Sequence, residues 1–187
     1  STYLAHSVSG KDRDKSHFDF DTQLVHFLPD VNPYCRPDGM STQEWCDAKI
    51  MDLQTAISKL GANKIGAFIA EPILSSGGVI VPASGYQKRT WEICRENDIL
   101  YISDEVVTGF GRLGHWFASE AVFDFVPDII TCAKGLTSGY LPLGACIISD
   151  RVMEALSQGE EQSAFTNGYT YSGHPVSCVA ALKNIEI

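Results

Sequence analysis

The stretch ILYISDEVVTGFGRLG, residues 99–114, decides how this chain is read. A short apolar run (99–103) stops at two carboxylates, Asp104 and Glu105, and a loop follows that carries Gly109, Gly111 and Gly114. A run this short, bounded by turn signals, reads as a buried strand, since a helix needs more residues to pack a face. The same grammar recurs on both sides. IGAFIA (65–70) stops at Glu71–Pro72, DIITCA (128–133) stops at Lys134–Gly135, and LGACIIS (143–149) leads into a helix starting at Asp150. GYQKRTWEICREN (85–97) has helical spacing between the first two strands. Upstream, Ser41 or Thr42 caps a helix running to about Lys59, with Glu44 in its first turn and Gly61 stopping it. Its expected apolar stripe is Trp45, Ala48, Met51, Leu53, Ala56, Ile57 and Leu60. Strands alternating with helices predict an α/β fold, a mostly parallel sheet flanked by helices and covered on both faces. The last strand follows its predecessor too closely for a helical crossover, which leaves an antiparallel partner or a return through a short loop.

Outside this core the pattern weakens. Residues 1–9 read as the end of a helix broken by Gly10. Residues 11–40, with the mixed charges of KDRDKSHFDFD and three prolines in FLPDVNPYCRPDG, read as an irregular surface or interface segment. The whole chain is therefore expected to form one domain, with 1–40 irregular and 41–187 the α/β core. Its 187 residues suffice for one sizeable core.

Composition narrows the function. Fourteen basic residues against 23 acidic give a net charge of −9, which argues against a general nucleic-acid binder. No apolar run approaches the roughly 20 residues of a membrane span. The six cysteines include no C-x-x-C pair, and the five histidines are scattered without ligand spacing, so neither a disulfide framework nor a metal site is expected. A reducing, cytoplasmic setting follows from that cysteine usage.

In an open α/β sheet, ligands bind outside the carboxyl ends of the strands. Three of the expected strands end in ionisable residues, Glu71, Asp104 and Lys134, and these would converge on one crevice. Asp104 and Val106 are two apart, so on extended backbone they share a face. A carboxylate beside a branched apolar surface suits a flat, protonated heteroaromatic ring. Lys134, at the end of a buried strand, is expected to be partly desolvated and so a better amine nucleophile, as Schiff-base chemistry requires. An Asp and a Lys flanking one ring is the arrangement expected for pyridoxal phosphate, with the Asp on the pyridinium nitrogen.

Four segments together resemble the class III, or omega-type, aminotransferases of pyridoxal-phosphate fold type I. They are FIAEPILSSGGVIVP, LYISDEVVTGFGRLGHWF, PDIITCAKGLTSGYLPLGA and GYTYSGHPVSCVAAL, in the family's order and spacing. The resemblance implies that Lys134 bonds the cofactor and shuttles the substrate proton, and that Asp104 keeps the ring nitrogen protonated. It implies that Val106 packs on a ring face, and places Val107 near the cofactor 3-oxygen. Glu71 is similar to a glutamate that pairs with an arginine gating the substrate carboxylate. Tyr169 and Thr170 resemble a segment that reaches into the neighbouring subunit, where the Thr hydroxyl binds the cofactor phosphate and the aromatic borders the substrate pocket. The implied activity moves an amino group from an amine or omega-amino acid to a keto acid such as pyruvate, in a homodimer with shared sites. An aminomutase or epimerase on the same scaffold is the enzymatic alternative, and a non-catalytic α/β fragment the other. The family's chains are about twice this long, so the sequence is expected to be the central part of a large domain. The phosphate-binding segment and the small domain would then lie outside it, and the truncated chain by itself would be inactive.

Overall fold

A computed structural model describes residues 2–11, 15–158 and 167–187. Residues 12–14 of the charged run lie outside the described residues. The elements are α1 (Tyr3–Val8), α2 (Thr42–Leu60), β1 (Ala67–Ala70), α3 (Tyr86–Glu96), β2 (Leu100–Asp104), α4 (Ala118–Ala121), β3 (Ile129–Cys132), β4 (Ala145–Ile148), α5 (Asp150–Ser157) and α6 (Pro175–Glu186). Single 3₁₀ turns cover Pro33–Cys35, Ala62–Lys64 and Lys134–Thr137. Residues 15–32 form no helix or strand, and the indole of Trp45 donates to the Val31 carbonyl (3.1 Å), tying that segment to α2.

The sheet runs β1-β2-β3-β4. The first two pairings are parallel and β3–β4 is antiparallel, as the short connection requires. Register sorts the side chains. Phe68 lies opposite Tyr101, Ala70 opposite Ser103, and Asp104 opposite Thr131, which in turn lies opposite Cys146. Because side chains alternate, Tyr101 and Ser103 share one face while Ile102 and Asp104 share the other.

The core sits on the Tyr101 face. Leu53, Ile57, Cys94, Ile99, Tyr101 and Phe125 form one cluster, and Cys46, Ile50, Ala83 and Tyr86 a second beside it. Tyr101 is fully buried, with the rings of Phe68 and Phe125 at 5.1 and 5.0 Å. The α2 stripe therefore differs from the expected one. Cys46, Ile50, Leu53, Ala56 and Ile57 point inward, whereas Met51 is 61% exposed, because spacings of four and three put 46, 50, 53 and 57 on one side. Ser41 and Glu44 close a reciprocal capping box at the helix start.

Coverage of the sheet is one-sided. Both α3 and α4 meet the Tyr101–Ser103 face: Gln87 bonds Tyr101, and the Ser119 and Ser103 hydroxyls are 2.8 Å apart. On the opposite face Ala67, Ile69 and Cys146 are exposed. Among the described residues, the expected cover on both faces is not met. The reason is topological: strands added in the order β1, β2, β3 with crossovers of one hand place each connecting helix on the same side.

A buried polar chain anchors the exit of β1. The Tyr101 hydroxyl donates to Gln87 Oε1 (2.7 Å), and Gln87 Nε2 donates to the carbonyls of Glu71 and Pro72 (3.0 Å each). Tyr101→Phe leaves that amide oxygen without its donor at a site closed to water. It should lower stability by about 1–2 kcal/mol, read as a reduced midpoint in urea with an unchanged slope.

Candidate active site

β1, β2 and β3 are parallel, so their carboxyl ends share one rim. Ala70 lies opposite Ser103, which sets Glu71 beside Asp104, and Asp104 lies opposite Thr131, three residues before Lys134. The charges on this rim act on Asp104. Burial pushes the Asp104 carboxyl above its ordinary value, opposed by the bond from the Val106 amide. The Glu71 charge pushes it further up, while the Lys134 charge and the Thr131 hydroxyl pull it down. Asp104 thus feels the charges of two residues far from it in the chain.

The dipeptide Asp104–Glu105 divides its two carboxylates between the faces of the sheet. Asp104 turns to the open face. Glu105 turns to the covered face, where it is fully buried. There it accepts four hydrogen bonds: from Thr108 Oγ1 (2.7 Å), the Ala118 amide (2.9 Å), the Ser119 amide (2.8 Å) and the Ser119 hydroxyl (2.6 Å). The two amides are the first of α4, whose own N-cap, Phe117, supplies no side-chain acceptor. Glu105 therefore caps α4 from thirteen residues away. Sequence reading missed it. The available signal was parity, since adjacent strand residues cannot face the same side.

Beyond Glu105 the chain folds back, with the Gly109 amide donating to the Glu105 carbonyl (3.0 Å). A Cβ on Gly109 would sit 2.9 Å from that carbonyl oxygen, so only glycine fits. Phe110 next meets the lysine turn, where a Cβ on Gly135 would lie 2.9 Å from Phe110 Cβ. The glycine loop and the Lys134 turn are packed together without spare room.

Two local expectations change. β2 ends at Asp104, so Val106 is not on extended backbone; it lies in a turn, and its amide donates to Asp104 Oδ1 (3.0 Å). The cause is the inward pull on Glu105, which bends the chain one residue after the strand. Lys134 is exposed rather than partly buried. It begins a 3₁₀ turn after β3, has φ +39°, and lines an open cleft of about 490 Å³ with Thr137, Tyr140 and Leu143. Glu71 is half-buried, its Oε2 accepting from the Ser75 amide and hydroxyl (3.1 and 2.9 Å). Val107 is half-buried in the same loop. Tyr169 and Thr170 are exposed in a surface turn closed by the Ser172 amide on the Tyr169 carbonyl (2.9 Å), and neither lines the Lys134 cleft. All six cysteines are free thiols.

The donor set fits pyridoxal phosphate. Asp104 is a carboxyl whose burial leaves it short of a cationic partner, which a ring nitrogen supplies. Lys134 offers an accessible amine within electrostatic reach of it. A half-buried acid at the carboxyl rim of a parallel sheet and an exposed lysine on the turn after the next strand are the two groups such a cofactor would need. The chain belongs to the aminotransferase class-III family, whose model matches residues 1–187.

Individual relatives agree. The chain is 45% identical over 166 residues to a putrescine–pyruvate aminotransferase of Pseudomonas aeruginosa, covering 88% of this chain and 35% of that protein. It is 38% identical over 190 residues to a vanillin aminotransferase of Capsicum frutescens, covering 100% of this chain and 41% of that protein. Among solved structures, an omega transaminase from Pseudomonas jessenii in complex with PMP superposes with a TM-score of 0.93 at 35% identity, over 99% of this chain and 41% of its own. A thermostable (S)-enantioselective omega-transaminase from Thermomicrobium roseum gives 0.91 at 38% identity, over 97% and 40%. The sequence thus spans 35–41% of the length of these relatives.

The site carries a pH signature. Burial raises the Asp104 carboxyl above 3.8, so the folded chain holds that proton more tightly than the unfolded one. Its contribution to stability is greatest below the unfolded value and is lost as pH rises through the folded one. Asp104→Asn should therefore raise the melting temperature of cofactor-free protein at pH 7, with the gap narrowing as pH falls toward 4. Thermal melts across that range check the sign.

Proposed function

We propose that the protein is a pyridoxal-phosphate-dependent aminotransferase that moves an amino group from an amine or omega-amino acid to a keto acid such as pyruvate. The observation that carries this reading is the placement of Glu71, Asp104 and Lys134 at the carboxyl ends of three adjacent parallel strands, in a chain of the class III family. The activity for which the putrescine–pyruvate relative is named supports the donor and acceptor classes.

Each residue has a part. Pyridoxal phosphate, when bound, supplies an aldehyde carbon for an amine and a ring that draws electrons from the substrate Cα. Asp104 would hold the ring nitrogen protonated through its charge, and its bond from the Val106 amide keeps one oxygen oriented. Val106 and Val107 present branched apolar surface at the start of the same loop, Val106 for a ring face and Val107 near the 3-oxygen. Lys134 Nζ would bond the cofactor and, once displaced by the incoming amine, accept and return the substrate proton. Its exposure and position on a turn give it the freedom to swing between those tasks. Glu71, tethered by Ser75, stands ready for a cationic partner at the substrate end.

The exposure of Tyr169 and Thr170, away from the Lys134 cleft, supports their use across a homodimer. There Thr170 Oγ1 would bind the cofactor phosphate, and Tyr169 would border the substrate pocket. The free cysteines are compatible with a reducing, cytoplasmic setting.

Two measurements test the reading. Borohydride treatment with pyridoxal 5′-phosphate should fix one cofactor on Lys134, located by peptide mass, and Lys134→Ala should abolish both the fixation and transamination; fixation at another residue overturns the assignment. If sites are shared, mixing inactive Lys134→Ala protomers with phosphate-binding-impaired Thr170→Ala protomers should restore one intact site per mixed dimer. Activity then rises above that of either variant alone, whereas a site built within one chain gives no rise.

A further inference from the structure

We infer that Asn184, on α6, is the positioning residue that holds the Lys134 turn in its working geometry; this rests on the reading of Lys134 as the cofactor-bonding lysine. The turn needs an external support. Lys134 has φ +39° and Ser138 has φ +51°, both in the left-handed region that side chains disfavour. Lys134 opens a four-residue 3₁₀ turn that Ser138 closes, and its hydrogen-bond geometry is poorer than that of an α-helix. Such a segment does not keep its shape by local propensity alone.

Asn184 supplies what is lacking. Its Nδ2 donates to the carbonyls of Gly135 (2.9 Å) and Leu136 (3.2 Å), and its Oδ1 accepts from the Ser138 hydroxyl. Two donors and one acceptor on a short stem match the amide group and no other small side chain. Two carbonyls on one atom and a hydroxyl on the other also settle the orientation of the amide. The helix is built for the approach: Ser177, Ala181 and Asn184 lie at spacings of four and three on one face, and α6 packs against the lysine turn. Small residues bring the helix close, and the amide reaches the backbone.

On the other side the turn abuts Phe110, which contacts Gly135. The turn is thus gripped between the glycine loop that follows Asp104 and the last helix. The consequence for function is spatial. Lys134 Nζ has to return to one place after each proton transfer, and a fixed Cα limits its search to side-chain rotation. Freeing the carbonyls of Gly135 and Leu136 lets the φ +39° backbone relax and carries the amine away from Asp104.

The experiment reads the turn and the lysine separately. In cofactor-free protein, Asn184→Ala should speed amide exchange at Ser138 and Gly139, whose amides donate to the Gly135 and Lys134 carbonyls, while Tyr101 and Ile102 in β2 stay protected. With pyridoxal 5′-phosphate, the rate of borohydride-fixable bonding at Lys134 should fall about tenfold, the worth of one to two hydrogen bonds. Asn184→Asp, which sets a carboxylate against two carbonyls, should fall at least as far, and Asn184→Gln should recover part of the loss. Normal bonding at Lys134 in the parent protein with unchanged exchange and rate in Asn184→Ala overturns the inference and leaves the proposed function standing. Absence of bonding at Lys134 in the parent protein overturns the proposed function itself. If Asn184→Ala loosens β2 as well, Ser138→Ala removes one anchor at an exposed residue. It should still speed exchange at Gly139; no change there overturns the inference.

Discussion

The fully buried carboxylate of Glu105 is the constraint on which the rest of the site depends. An unpaired carboxylate in such a place would be prohibitively costly, and the four donors around it make the arrangement tenable. Two of those donors begin α4 and two are hydroxyls, so one side chain joins the end of β2, the loop after it and the next helix. Strand alternation does the rest. With Glu105 drawn to the core, Asp104 has to face the open side, where burial and Glu71 raise its carboxyl and Lys134 and the Val106 amide oppose them. The orientation of Asp104 toward the open face is thus set by its neighbour's burial.

The architecture carries this local bond to the lysine. Glu105 sets the turn that needs Gly109, Phe110 follows, and Phe110 presses on Gly135. Asp104 and Lys134 are thirty residues apart in sequence but only two packed contacts apart in space. The register Ala70–Ser103 and Asp104–Thr131 sets their separation along the rim, because parallel ladders do not slip without moving the whole buried face. At the far end the Tyr101–Gln87 chain fixes the backbone at Glu71. Glu71 and Asp104 are therefore supported by buried polar contacts, and Lys134 by the packing of Phe110 on Gly135.

The open face belongs to the same logic. Ala67, Ile69, Cys146 and Ile148 are exposed on it, in a chain that spans 35–41% of its relatives. With crossovers of one hand, α3 and α4 lie behind the sheet, on the side away from Asp104.

Much of this was legible in the residues. Short apolar runs ending at Glu71, Asp104 and Lys134, with helical spacing between them, determined the α/β class, the strand positions and the rim, because periodicity and turn residues are local properties. Local rules also offered Ser41 or Thr42 as the α2 cap and an antiparallel last strand as one of two options, and the structure selects Ser41 and the antiparallel pairing. Other features were decided only by the tertiary structure. Tertiary packing turned the α2 face from Met51 toward Cys46 and Ile50, bent the chain after Asp104 instead of continuing it to Val106, and left Lys134 exposed. It also brought Asn184 from 49 residues away onto the carbonyl of Gly135. The physical reason is common to all of these. They depend on which donors and side chains arrive from distant parts of the chain, and such pairings are set by register, crossover hand and burial, none of which the local spacing of residues contains.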